Sequence, residues 1–249
     1  TVGQIHTYVG LLEMEVDHID TALAHHQQAM AAYQAAASRA GMLAARINLA
    51  QVQATLGQMA EARAMLLQAI AECRDTGNRR LEAIAHANIS GLWCEAGAFE
   101  TGYAASLEGL RLAALIGETR TAAWAHNGAQ YAAQGMGRFD LALAHARRAE
   151  EGFRAHAIPS VAWINAAAVA RNLLALGQAA EAGAAAEALL AEVDAVGAGE
   201  GGGGSGSGGW EGAFELAYIL YEVLAPLGHP RAASLLAMAH QALVTQADK

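Results

Sequence analysis

Proline and cysteine are nearly missing from this chain, at three and two residues in 249. So little proline leaves long stretches able to run as unbroken helix. The two cysteines, Cys73 and Cys94, cannot make a disulfide framework, and a reduced, cytoplasmic setting is the expectation. Aromatic residues are only 6%, so the core must be filled by aliphatic and small side chains. No run of apolar residues is long enough and free enough of polar breaks to span a membrane. Basic charge is short as well: 15 Lys and Arg stand against 24 Asp and Glu, interspersed, for a net charge of −9. That balance offers no fold-wide basic patch, and direct nucleic-acid binding is not expected. Arg79-Arg80 and Arg147-Arg148 read as isolated, solvated pairs. The opening TVGQIHTYVG has neither the basic nor the apolar segment of a signal peptide, and without an initiator methionine it reads as an excised fragment.

Catalytic signatures are missing too. There is no GxxxxGK[ST], HExxH, Cys-x-x-Cys or GxSxG. The glycine-rich stretch at 197–209 holds no lysine and joins no strand to a helix. His18, His25 and His26 share part of one helix, but two turns of separation is too far for one ion. His86 and His126 are forty residues apart, with Arg46 in the same column, and would line a ridge or sit as ordinary satisfied histidines. No metal, cofactor or enzymatic activity is expected.

What the chain does have is alanine, the best helix former, and a repeat. Apolar residues reach 54%. Gly57, Gly97, Gly137 and Gly177 recur at forty-residue intervals, each closing a helix-like run. Gly77, Gly117 and Gly197 mark a second turn on that period, with Ala157 in the missing place. Ala22, Ala62, Gly102, Ala142 and Ala182 form a column of small residues, and Val9, Leu49, Ile89, Ala129 and Val169 a column of mostly larger ones. In the second copy, Leu43, Ile47, Ala50 and Ala54 make one 3.6-period stripe, and Ala62, Met65, Leu66, Ala69 and Ile70 make the next. Each copy reads as helix, tight turn, helix, with a small residue where the two cross. Such a pair cannot bury its stripe alone and must stack on others.

The segments NLAQVQATLGQMAEARAMLLQAI (48–70), ISGLWCEAGAFETGYAASLEGL (89–110) and AQYAAQGMGRFDLALAHARRA (129–149) resemble tetratricopeptide repeats, here lengthened to forty residues. The resemblance implies an all-α, right-handed solenoid of about six antiparallel helix pairs. Five tandem repeats would occupy 1–196, a Gly/Ser-rich loop or linker 197–209, and a sixth pair 210–249, with Ala233 in its small column. Whether 197–209 is a natural loop or an engineered replacement stays open. The alanine-rich forty-residue repeats also resemble the helical regions of MalT-like and other STAND-type bacterial signalling regulators. There such regions serve sensing, self-restraint or assembly.

In tetratricopeptide proteins the first helix of each pair lines the concave surface. Carried over by position, the groove would include Asn48, Gln51, Asn88, Glu95, Trp124, Asn127, Tyr131, Gln134 and Arg171. Trp124, Asn127, Tyr131 and Gln134 share one face at i, i+3, i+7 and i+10. The asparagines carry donors and acceptors suited to a peptide backbone, or alternatively bridge neighbouring helices. The expected partner is a protein or peptide, or another domain of the parent protein, and the chain is expected to be a monomer or weak homodimer. The competing reading is a sensor holding a small molecule or short peptide in an enclosed pocket.

Overall fold

In a computed structural model, which describes residues 1–15, 18–199 and 213–247, the chain is all-α. Twelve helices are found among the described residues. They are α1 (Val2–Glu15), α2 (Ile19–Ala35), α3 (Arg39–Thr55), α4 (Met59–Thr76), α5 (Arg79–Glu95), α6 (Phe99–Ile116), α7 (Thr119–Gly135), α8 (Phe139–Ala155), α9 (Pro159–Ala175), α10 (Ala179–Gly199), α11 (Ala213–Leu224) and α12 (Ala232–Ala247). None is long and apolar enough to cross a membrane. The 197–209 segment begins inside α10, and its residues from 200 onward lie outside the described residues.

One turn, used repeatedly, makes the pairs. At the end of α4, Gly77 takes φ +68° and its neighbour Asn78 donates its N–H to the Cys73 carbonyl at 2.9 Å. A left-handed residue followed by a bond reaching five residues back is the standard means of satisfying terminal carbonyls. The same bond recurs from Ser38 to Tyr33, Ala98 to Trp93, Ile158 to Phe153 and Gln178 to Leu173. Asn78 then begins α5, its side-chain oxygen accepting from the Leu81 N–H at 3.2 Å. Alanine does glycine's work twice, at Ala37 (φ 49°) and Ala157 (φ 54°). A Cβ in that conformation crowds the following carbonyl, so both turns are strained.

The small column falls where the helices of a pair touch. Ala22, Ala62, Ala142 and Ala182 are fully buried. A Cβ on Gly102 would come within 2.9 Å of Cys94 Sγ and 3.0 Å of the Ser90 carbonyl oxygen. In the last pair the register differs from the expectation. Ala233 is exposed, and Leu235 and Ala239 are the residues buried. A leucine at that depth needs more room than an alanine column provides.

The chain divides into two compact units, Thr1–Met136 and Gly137–Lys249. In the first, each helix from α1 to α6 packs on its successor, and the first helices of successive pairs also meet, α1 on α3, α3 on α5 and α5 on α7. Its core includes Leu43, Ile47, Leu66, Ile70, Leu81, Ile89 and Leu92. In the second unit α11 lies against α9, and α12 packs on α11. Leu143, Ile164, Leu173, Leu189, Ile219, Leu220 and Leu235 are buried together there.

Candidate functional site

The period that buries alanine also decides which side chains of the first helices stay outside. On α7, Ala123, Ala125, Ala129, Ala132 and Ala133 are buried. The complementary stripe is accessible: Trp124 is 39% exposed, and Asn127, Tyr131 and Gln134 are half-buried. Buried Gln130 donates its side-chain N–H to Gln134 Oε1 at 2.8 Å, fixing the Gln134 carboxamide. On α3, Asn48 is half-buried and Gln51 exposed; on α5, Asn88 is half-buried and Glu95 exposed. These eight residues lie on the first helices of three successive pairs in the first unit. Arg171 belongs to the second unit, where its Nη1 lies 3.4 Å from Glu222 Oε2.

Between Asn88 and Glu95, Gly91 leaves bare backbone on α5, and a Cβ there would meet nothing within 4 Å. By register it occupies the place of Gln51 and Tyr131. A hollow of about 280 Å³ opens where α6 meets α7, lined by Leu110, Ala113, Ala114, Ala122 and His126 among others. Its lining includes neither Trp124 nor Tyr131.

The histidines disperse rather than converge. His18 pairs with Glu13 at 2.8 Å, His25 stacks on His6 with their Nδ1 atoms 3.0 Å apart, and His26 is buried. Burial, with His25 alongside, brings the His26 pKa down to about 4. His86 is not on a ridge but buried, and burial lowers its pKa, with Arg74 adding to the effect. Among the described residues, Glu82, His86 and Glu108 are the one group spaced so that three ligand atoms lie within 4.8 Å of one another. Guanidiniums already serve it. Arg74 donates to Glu82 at 2.7 Å and faces His86 Nε2 at 3.2 Å, and Arg111 grips Glu108 at 2.8 and 2.7 Å. Two cations balance two carboxylates, so the cluster is a charge-neutral brace across α4, α5 and α6. Arg46, in the His86 column, is paired with Glu72.

Trp93 and Trp163 are tied into the scaffold. The Arg63 guanidinium lies 5.1 Å from the Trp93 ring centroid. Trp163 Nε1 donates to Glu192 at 2.8 Å, a carboxylate that also accepts from Arg154 at 2.7 and 2.9 Å. One accessible feature escaped sequence reasoning. On α11, Phe214, Tyr218 and Tyr221 form an aromatic row, with centroids 5.9 and 6.3 Å apart. Their i, i+4, i+7 spacing was the available signal.

Searches of known structures agree with this architecture. A Rap protein complexed with competence and sporulation factor matches with a TM-score of 0.69 at 14% identity, over 98% of this chain and 68% of that one. A STAND protein with a tetratricopeptide repeat sensor, from Pyrococcus horikoshii, matches with a TM-score of 0.64 at 14% identity, over 96% of this chain and 36% of that one. The chain has the tetratricopeptide-repeat fold. PilF of Pseudomonas aeruginosa, at a TM-score of 0.60 and 18% identity, is covered over 98% of its length and covers all of this chain. No family model and no curated protein matches the sequence. At these identities the likeness concerns the fold, and within it the first helices α3, α5 and α7 carry the accessible polar and aromatic stripe described above.

Proposed function

We propose that the chain is a non-catalytic binding module whose first-helix face in the first unit takes a segment of protein or a peptide. The segment comes from another protein or from another domain of the same parent. The observation that carries this reading is the α7 stripe. Trp124 stands partly exposed beside Asn127, Tyr131 and Gln134, while the alanines between them are buried. Tryptophan and tyrosine are enriched in binding hot spots, and the carboxamides beside them add hydrogen-bonding groups. Asn48 and Asn88 extend the polar line to α3 and α5, and Gly91 lets a partner's backbone come close to the helix. Catalysis plays no part in this reading, because the titratable cluster on α4–α6 is closed by its own arginines.

The parent is proposed to be a bacterial signal-transduction or transcription regulator, with this region as its cytoplasmic sensor or scaffold. Support comes from fold likeness to a Rap protein and to a STAND protein that has a tetratricopeptide repeat sensor. A long accessible stripe favours a segment-binding groove over a closed small-molecule pocket. The test is affinity capture from source-cell lysate, then titration of the identified segment into the purified chain by calorimetry. Trp124→Ala with Tyr131→Ala is expected to weaken that binding at least tenfold, with helix content unchanged. Equal affinity in the double variant refutes the groove assignment, and a captured partner whose segment binds elsewhere on the chain does the same.

A further inference from the structure

Helix α1 turns toward solvent an apolar stripe, two of whose positions the other first helices of its unit keep covered. Val2, Ile5, Tyr8 and Leu12 are 62, 62, 68 and 60% exposed. At about 100° per residue, these four and half-buried Val9 occupy roughly a third of the helix circumference over three turns. The opposite side of α1 is fixed in place. Gly3 lies on the Tyr33 ring and Gly10 on the His26 imidazole, so closely that a Cβ at either would come within 2.7 Å. The helix is therefore clamped to α2 with its stripe facing outward.

The forty-residue register shows what normally happens at such a face. Ile5 aligns with Ala45, Ala85 and Ala125, each 0% exposed, and Leu12 with Val52, Leu92 and Ala132, none above 7%. Inside the unit those positions are closed by neighbouring helices. Alanine in the first of these columns lets the helices approach closely. Ile5 is far bulkier, and a pair stacked in the internal manner would be held away by it. The face suits a helix that meets it at wider spacing and brings an apolar stripe of its own.

Charge selects the occupant. Residues 2–12 contain no Asp, Glu, Lys or Arg, although the whole chain carries −9. Two copies of this protein repel over most of their surfaces but not across this one. The stripe is its own complement about a twofold axis. We propose that α1 is a homodimer interface, with α1 of one protomer packed antiparallel on α1 of its partner through Val2, Ile5, Tyr8, Val9 and Leu12. Antiparallel packing also opposes the two helix dipoles, with the N-terminal end of each beside the C-terminal end of the other. Side chains of this number and size offer roughly 400–500 Å² on each protomer, or about 1,000 Å² in total, at the low end for specific interfaces. The dimer is accordingly weak and depends on concentration.

Sedimentation equilibrium of the full chain, from micromolar to sub-millimolar concentration, tests this. The mass is expected to rise to twice that of the monomer and stop. Ile5→Glu with Leu12→Glu is expected to remain monomeric throughout, with wild-type helix content, since both side chains are exposed. Leu236→Glu with Leu243→Glu, on the partly exposed face of α12, is expected to dimerise normally. Tyr8→Cys, near the middle of the stripe, should cross-link to its own copy under mild oxidation. Cys73 is buried and Cys94 half-buried, and burial pushes both thiols up to about 11, so neither competes. A wild-type chain that stays monomeric overturns the proposal. So does an α1 variant that still dimerises, an α12 variant that does not, or a mass that climbs past two copies, which signifies head-to-tail stacking.

Discussion

Two glycines on neighbouring first helices should respond to the same substitution with opposite signs. Gly91 on α5 has open space where a Cβ would stand, with nothing within 4 Å. Gly128 on α7 has none: a Cβ there would lie 2.7 Å from Ser90 Oγ and 2.8 Å from Ser106 Oγ. Those hydroxyls are themselves a buried hydrogen-bonded pair, 2.6 Å apart. Alanine in an open helix interior is worth about 1 kcal/mol over glycine. Gly91→Ala should therefore stabilise the chain by about 0.5–1 kcal/mol. Gly128→Ala has the same propensity gain, but overpacking a filled site costs about 1–3 kcal/mol and losing the hydroxyl pair about another 1. The net is a destabilisation of about 1–3 kcal/mol.

Urea unfolding followed by circular dichroism at constant slope reads both changes, and both positions lie in the first unit. Adding Ser90→Ala and Ser106→Ala to Gly128→Ala removes the oxygens in the way and should recover most of the loss. If the two glycine variants shift the midpoint in the same direction, or the triple variant is no better than Gly128→Ala alone, the steric account of this crossing is wrong.

At Ala157, φ is 54°, and replacement by glycine relieves a Cβ–carbonyl clash worth about 1–2 kcal/mol, so Ala157→Gly should raise the thermal midpoint in calorimetry. His26 titrates near 4 in the folded chain against 6.5 when free, so the unfolded state binds its proton first. Its contribution is complete above pH 6.5 and drains away as the pH falls toward 4, by about 2–3 kcal/mol. Urea midpoints measured across that range should show the decline, and His26→Phe, which keeps a ring against Gly10, should flatten it. Glu192→Gln weakens a partly exposed bridge to Arg154 and the bond from Trp163, and should cost about 1 kcal/mol with a shift in tryptophan emission.

The architecture was legible because it is written many times over. A left-handed turn is needed at the end of nearly every helix, and Gly57, Gly77, Gly97, Gly117, Gly137 and Gly177 supply it on a fixed period. When one place fails, as at Ala157, its neighbours in the column still reveal the turn. Ala37 takes the same conformation at the edge of the array, where less of that support is present. The last pair departs from the expected register for a related reason. Residues 197–209 interrupt the period, so Ala233 is placed by its distance from Gly228, the same five residues that separate Ala62 from Gly57, whereas Leu235 and Ala239 are the residues buried.

A binding face has no such redundancy, because each of its side chains occurs once. Trp124 and Tyr131 are placed on one face of α7 by the tetratricopeptide resemblance and their i, i+7 spacing, and both are accessible among buried alanines. The same spacing puts Asn127 on that face at i+3 from Trp124, one residue before the column of Asn48 and Asn88, where Gly128 is buried. That slip of one residue follows from local packing: the Ser90–Ser106 hydroxyl pair presses against Gly128 and leaves no room for an asparagine there. Periodicity fixes where a side chain can point, while its neighbours on adjacent helices decide whether it does. The Gly128→Ala series therefore tests more than one crossing. If the hydroxyl pair sets the rotation of α7, relieving it should also change how Trp124, Asn127 and Tyr131 are presented, and the tryptophan emission of the triple variant should differ from wild type even where its stability is restored.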